Sequence, residues 1–413
     1  MTYFRWKMII LAFVAVIITY MDRSALSYAI TPLQAEFGLT NTDFGLIASA
    51  FGVGYMLMTV IGGVLVDHYG ARSIWSISAF LWSLACGALA WASGFAWLFI
   101  FRLLLGIGEG PSFPALTRVT ADWLPISERT RALALGLAAV PFASVLGAPL
   151  VSLLVSTVGW RYMFLILASL GIVWAVVWAF VFRDQPRQFK LISQEELTFI
   201  ESGLEHAGRA EQKSSWRFIL FNRSLLINNL SFFAFGYLLF FAITWLPGYL
   251  EQTYHIHVRR AGWFLIAPWI TATILMLCGG ALSDWIWRKT GSMRYARSYL
   301  IWICQILSAI SFLPLLFSQS LTVALCSVTF GIGFGMMPNA AFYALNADLA
   351  RDRAATSLGV MDCGFALAGI IAPVLTGWLT VLTGNFQAAF GLLIILTFGS
   401  ALAVILWQHP DKD

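Results

Sequence analysis

Twelve stretches of about twenty mostly apolar residues run through this chain, and few folds can accommodate them. A helix crossing the hydrocarbon layer of a bilayer needs roughly 20 such residues. The stretches cover 7–30, 44–66, 73–93, 95–117, 131–157, 162–182, 224–250, 260–286, 297–317, 320–347, 355–381 and 386–407, joined mostly by short polar turns. Gly and Pro inside them (Gly62, Gly63, Pro141, Pro149, Pro268, Pro338, Pro373) are tolerated in membrane helices, because neighbouring helices satisfy the freed backbone groups. A membrane barrel would show polar and apolar residues alternating over about 10 positions, and no such pattern is present.

Composition agrees. Of 413 residues, 60% are hydrophobic and 11% charged, against about 25% charged in soluble proteins. A soluble fold could not hide that apolar surface. Soluble enzymes, disordered chains and disulfide scaffolds are thereby excluded, and a net charge of +5 is too thinly spread for nucleic-acid binding. The expected fold class is an all-α polytopic membrane protein with twelve transmembrane helices.

Basic residues set the expected orientation, since Lys and Arg accumulate on the cytoplasmic side. With the N-terminus inside, 20 of the 25 basic residues fall on the cytoplasmic side, and Arg161, Arg259 and Arg260 fall opposite. Arg23 and Arg102 lie within spans. An even number of spans puts both termini in the cytoplasm, giving a multi-pass protein of the cytoplasmic (inner) membrane. Arg5 and Lys7 before an apolar run imitate a signal peptide, but Asp22 and Arg23 interrupt that run and Ser27-Tyr28-Ala29 is a poor cleavage site. The five cysteines lie in apolar spans without metal-ligand spacing and read as small buried hydrophobes. No metal or cofactor is expected.

The longest polar stretch divides the chain into 1–182, a cytoplasmic linker 183–223 and 224–413. Within the linker, Ser193-Gln-Glu-Glu-Leu197 has the form of a capped helix start. The halves repeat one punctuation: Gly63-Val-Leu-Val-Asp67 followed by Gly70-Ala-Arg72, and Gly280-Ala-Leu-Ser-Asp284 followed by Arg288-Lys289. Internal repeats of this kind mark secondary transporters, whose site lies between the repeats.

These turns resemble the loop signature of the major facilitator superfamily, with Ala71 where a base often stands. Arg102-Leu-Leu-Leu-Gly106-Ile-Gly108 resembles its fourth-span motif. Within that superfamily, Tyr20-Met-Asp22-Arg23-Ser-Ala-Leu-Ser27, Gly106-Ile-Gly108-Glu109-Gly110-Pro111-Ser-Phe-Pro114 and Thr244-Trp245-Leu246-Pro247-Gly-Tyr249-Leu250 resemble the anion:cation symporter branch. The resemblance implies two pseudo-symmetric six-helix bundles working by alternating access, the coupling ion being a proton and the substrate a small organic anion. It also implies that Asp22 and Glu109 take part in protonation and Arg23 in substrate contact. The expected partners are that substrate and the bilayer, the chain acting as a monomer.

Ionisable groups in the bilayer cost several kcal/mol each and must pair or face water. Asp22, Arg23, Arg102, Glu109 and Asp362 are such groups. From a rise of about 1.5 Å per residue, Asp22, Arg23 and Arg102 reach similar depths, with Glu109 roughly 10 Å deeper on the Arg102 helix. Asp22 and Arg23 point about 100° apart, so one should pair across helices while the other faces a cavity. We expect Asp22 to pair with Arg102 and Arg23 to hold an anion, because arginine is permanently charged and presents a fork of donors. The bland reading of the same four residues is a salt-bridge network that only joins helices. Asp362 reads equally as a second titrating acid or as a polar residue at a seam.

Tyr20, Tyr55, Tyr237 and Tyr343, hydroxyl-bearing residues on spans that resemble cavity-lining helices, are candidate substrate contacts together with Asn339. Asp67, Arg72, Asp284 and Arg129 are candidate gating residues at the cytoplasmic ends, with Arg129 a candidate partner for the two aspartates. Span eleven reads Asp362-Cys-Gly-Phe365-Ala366, where sugar-acid symporters carry amides, and span two carries Thr59 for a common glutamine. Fewer amides favour a smaller, aromatic or apolar carboxylate over a polyol acid. No histidine lies deep in a span, so a histidine relay is not expected. The competing readings are a proton-coupled exporter of drug- or siderophore-like compounds and a non-transporting sensor on the same scaffold. An enzyme has no support, there being neither metal spacing nor a nucleophile-base motif.

Overall fold

The computed structural model describes residues 3–189, 191–205, 216–350 and 354–411. In chain order the helices are α1 (Phe4–Tyr28), α2 (Ile30–Phe37), α3 (Asn41–Tyr69), α4 (Ala71–Ala88), α5 (Phe95–Glu109), α6 (Ser112–Trp123), α7 (Ile126–Val181), α8 (Gln194–Glu205) and α9 (Trp216–Phe221). They continue as α10 (Arg223–Tyr254), α11 (Val258–Phe264), α12 (Ile266–Thr290), α13 (Tyr299–Phe312), α14 (Leu321–Met336), α15 (Asn339–Ala350), α16 (Ala354–Thr383) and α17 (Gln387–Trp407). Among the described residues there is no strand, and the fold is all-α, as the apolar spacing predicts.

Eleven helices, some of them joined pairs, are long and apolar enough to cross a membrane. One of these, 135–181, counts twice. Its 47 residues would extend about 70 Å, more than two hydrocarbon thicknesses. It turns at Gly159, whose φ of 84° and ψ of 163° are non-helical and favour a residue without a side chain. Spans five and six of the sequence reading are therefore one helical trace reversed at a glycine.

Both termini lie on one face, here the terminal face; the opposite one is the distal face. Loop chemistry follows local rules. Gly38 ends α2 with a φ of 65°, and Thr40 and Asp43 form a reciprocal capping box at the start of α3. On the distal face Arg161 grips Glu36 through both guanidinium nitrogens at 2.8 and 2.6 Å, holding the Glu36 carboxyl below the usual carboxylate range. In the linker, the Ser193 hydroxyl accepts from the Glu196 backbone N–H at 3.3 Å, which caps α8 as expected. The Glu196 carboxylate then accepts from Arg5 Nη1 at 3.0 Å, while Arg5 Nε donates to Glu128 at 2.9 Å. One arginine so ties α8, α1 and α7 together. The rest of the linker, 206–215, lies outside the described residues.

The halves meet closely at the distal end. A Cβ on Gly45 would lie 2.4 Å from the Pro373 carbonyl oxygen, and one on Gly52 would lie 3.1 Å from the Gly369 carbonyl carbon. Only hydrogen on these glycines lets α3 lie backbone to backbone against α16. Ser49 Oγ donates to the Ile370 carbonyl at 2.9 Å, and Phe44 meets Trp245 edge-on at 5.3 Å. Above them sits an amide cluster. Gln34 donates to Asn41 at 2.7 Å, and Asn41 donates to Gln252 and to Thr380 at 3.2 Å. Thr31 donates to Glu251 at 2.5 Å.

Toward the terminal face the same helices part. Gly369, whose carbonyl meets Gly52 of α3, is buried, whereas Asp362, about 10 Å further along the α16 axis, is exposed. The gating candidates each serve their own half. Asp67 pairs with Arg118 at 3.4 Å and Asp284 with Arg297 at 3.0 Å. Arg72 anchors the end of α7 through Asp184 and the Ala179 carbonyl, both at 2.8 Å. Arg129 does not reach Asp67. It donates to the Leu124 and Ala121 carbonyls at 3.0 and 2.6 Å, because the last carbonyls of α6 have no helical partner and a nearby guanidinium satisfies them. Among the described residues, the glycine contacts and hydrogen bonds that join the two halves lie at the distal end.

Gly52→Leu should prevent this closure. Spin labels on the distal ends of α3 and α16 should then report longer distances than in the unsubstituted protein; an unchanged distribution would contradict the glycine argument.

Candidate functional site

The centre is assembled from the glycine motif upward. A Cβ on Gly106 would lie 2.1 Å from the Phe51 carbonyl oxygen, so α5 is pressed onto α3 at that level. Arg102 and Glu109 flank this glycine by about one turn each and are carried toward the interior together. Both are buried, Glu109 completely. From α1, Asp22 and Arg23 enter the same space, and both are buried as well.

The observed pairing differs from the expected one. Arg23 Nε donates to Glu109 Oε2 at 2.7 Å, while Asp22 and Arg102 form no hydrogen bond with each other, and Arg102 Nε and Nη1 are buried without a partner among the described residues. The reason lies in the rings. The Arg23 guanidinium stands over Tyr20, Phe51 and Tyr55 at 4.4, 4.8 and 4.6 Å from their centroids. Arg102 stands over the same Phe51 ring at 5.1 Å. Cation–π attraction operates within about 6 Å, so one phenyl ring serves two cations, and the aromatic cage turns the Arg23 Nε edge toward Glu109. Arg23 Nη1 and Nη2 remain buried and unpartnered.

Asp22 is completely buried beside the Cys86 thiol, and no basic side chain hydrogen-bonds to its oxygens among the described residues. It lies within electrostatic reach of Glu109, Arg102 and Arg23. The four charges therefore form one cluster holding a single ion pair. Its unpartnered polar atoms among the described residues are the buried Nη edge of Arg23, Glu109 Oε1, the Asp22 carboxyl and Nε and Nη1 of Arg102.

The other half faces this cluster with Tyr343 and Asp362. Tyr343 Oη donates to Asp362 Oδ1 at 3.4 Å, and both lie within electrostatic reach of Tyr20 and Tyr55. Of the remaining sequence candidates, Tyr237 is fully buried beside Thr376, and Asn339 is buried with its Oδ1 unpartnered. Neither hydrogen-bonds to the Arg23 cluster among the described residues. Phe51 gave no sequence signal, being one phenylalanine among 33. Among the described residues no group of His, Cys, Asp and Glu is placed to hold a metal ion.

Comparison with known proteins fits this architecture. The family model of the Major Facilitator Superfamily matches residues 12–362 and, in a second match, 290–413. The hexuronate transporter of Bacillus subtilis is 31% identical over 97% of this chain and 94% of the relative. The probable sulfoacetate transporter SauU of Cupriavidus necator is 30% identical over 90% of the chain and 86% of the relative. The probable galactarate/D-glucarate transporter GudP of Bacillus subtilis is 31% identical over 99% and 92%. Among solved structures, a bacterial homologue of the human lysosomal transporter Spinster superposes with a TM-score of 0.78 at 16% identity, covering 98% of this chain and 97% of that one. A D-xylose–proton symporter does so with 0.78 at 16%, covering 99% of each. The structural likenesses show the fold.

Removing one partner of a buried ion pair strands the other charge at a cost of about 3–5 kcal/mol. Arg23→Ala should therefore lower the melting temperature in detergent clearly more than Arg102→Ala, which leaves no paired carboxylate behind. Equal losses would mean that the Arg23–Glu109 contact is not the one that holds the centre.

Proposed function

The chain belongs to the major facilitator superfamily of membrane transporters, and we propose that it carries a small organic anion into the cytoplasm together with protons, by alternating access. The relatives named above are described as transporters of sugar acids and of a sulfonated acid, which supports an anionic cargo. The observation that carries the reading is the buried Arg23 guanidinium, tied at Nε to Glu109 but with both Nη groups unpartnered. An arginine stays protonated, and its free edge matches a carboxylate or sulfonate in two parallel hydrogen bonds.

Coupling follows from competition. An anion arriving at the Nη edge shares the guanidinium that neutralises Glu109. A buried carboxylate that loses its cation is costly as an anion, so Glu109 takes up a proton as cargo binds. Asp22, buried with no basic side chain at hydrogen-bond distance among the described residues, is a second carrier beside it. A protonated Glu109 leaves Arg23 and the cargo as a matched pair while the occupied centre crosses the closed state. Closure at Gly45 and Gly52 on the distal side, with the halves parted on the other, supports the rocking that moves the site from one side to the other. Read with the basic residues on the terminal face, the open side is the cytoplasmic one, both termini lie in the cytoplasm, and the protein resides in the cytoplasmic membrane.

The test is uptake of a carboxylate panel into proteoliposomes with and without an inward proton gradient. Arg23→Ala should abolish binding, and retained affinity would remove Arg23 from the site. Asp22→Asn and Glu109→Gln should each lose gradient-driven accumulation, with exchange surviving in at least one. Undiminished accumulation in both would refute proton coupling through these acids; accumulation driven only by sodium would replace the proton as coupling ion.

A further inference from the structure

The N-terminal half offers cargo a cation; the C-terminal half offers it the opposite charge. Asp362 lies on α16 about 10 Å from the level at which Gly52 of α3 meets the Gly369 carbonyl, and it is exposed. Among the described residues its one hydrogen bond comes from Tyr343, at 3.4 Å, and no basic side chain of those residues pairs with it. Around it stands a wall of rings: Phe232 lies 5.4 Å from both Tyr343 and Phe365, and Phe235 lies 6.1 Å from Phe365. Tyr20 and Tyr55, which hold the Arg23 guanidinium, lie within electrostatic reach of Asp362 from the other side. A path from the free Nη edge of Arg23 to the Asp362 carboxylate thus runs past aromatic surface.

We propose that Asp362 is a specificity-determining residue, forming with Tyr343 a negative pole opposite Arg23, so that the preferred cargo is amphoteric: an acid group at one end and an ammonium at the other. The proposal rests on Arg23 being the anion anchor. An ammonium on the cargo gains a carboxylate and, beside it, ring faces suited to cations. A second acid group at that end meets like charge and is rejected. Pure dianions are therefore poor cargo, whatever the relatives carry.

The probes are a ladder of ω-amino carboxylates of increasing chain length, each measured beside the alkanoate and the dicarboxylate of matching length, for binding and for proton-driven uptake. At the best-fitting length the unsubstituted protein should bind the amino acid at least about tenfold more tightly than the alkanoate, a difference of roughly 1.4 kcal/mol. Asp362→Asn should cut the amino acid-to-alkanoate ratio by about tenfold and raise the dicarboxylate-to-alkanoate ratio, while Asp362→Glu should restore the preference. Absence of any amino acid preference in the unsubstituted protein overturns the proposal without reference to a variant. So does an Asp362→Asn protein that loses accumulation of every compound with its ratios intact, which would make Asp362 a proton carrier. Arg23-dependent, proton-driven alkanoate uptake with no preference sinks this inference alone. A panel in which no compound binds overturns both it and the transport reading.

Discussion

A charge in a bilayer has to be matched, and the Arg23–Glu109 pair is where this molecule meets that demand most closely. At 2.7 Å and out of contact with solvent, the pair neutralises one cation and one carboxylate but uses a single nitrogen of the guanidinium. Aromatic faces accept the rest of its charge without using up its hydrogen-bond donors. Such a centre is held together while its Nη edge still lacks a partner, and that incompleteness is what the proposed transport function draws on. The salt-bridge-only reading and the transport reading are thus compatible, because one contact performs the structural task and leaves the Nη edge for cargo.

The rest of the fold keeps that centre at the junction of two bodies. Small residues do most of this work. Gly106 brings α5 against α3, which carries Arg102 and Glu109 inward, and Gly45 and Gly52 let α3 lie against α16 at the distal end. In lipid, apolar side chains gain little by leaving their surroundings for one another, so close backbone approach and hydrogen bonds decide which surfaces stay together. The distal seam has both, in the glycine contacts and in the cluster of Gln34, Asn41, Gln252 and Thr380. The Asp67–Arg118 and Asp284–Arg297 pairs at the terminal face stay within their own halves, and Arg5–Glu196 ties the N-terminal half to the linker, so none of the three joins one bundle to the other. That asymmetry lets one end be shut while the other stands open.

Much of this was legible beforehand. The helices were visible because a span must be apolar over its whole length, a signal that survives any detail of packing. The capped start at Ser193 was legible for a local reason: the hydroxyl, the backbone N–H it accepts from and the intervening turn all lie within four residues. Asp22, Arg23, Arg102 and Glu109 stood out because ionisable residues in apolar spans are rare and costly. Their partners did not stand out. Axial rise gives depth but neither the side-chain reach nor the ring that lies between two cations, and the expected Asp22–Arg102 pair failed for that reason. Arg129 likewise found carbonyls nearer than the aspartate, and the Gly159 break showed in hydropathy only as a short polar gap.

The sequence by itself determined the class of the molecule, its crossings, its repeated halves and the short list of charges that had to matter, since each depends on composition and spacing along one chain. Tertiary structure alone decided which charge met which, that Phe51 serves both arginines, that Asp362 opens toward the other half, and which end of the seam is closed. Those outcomes depend on the rotation and approach of helices far apart in sequence, set by contacts of a few tenths of an ångström that no linear pattern records.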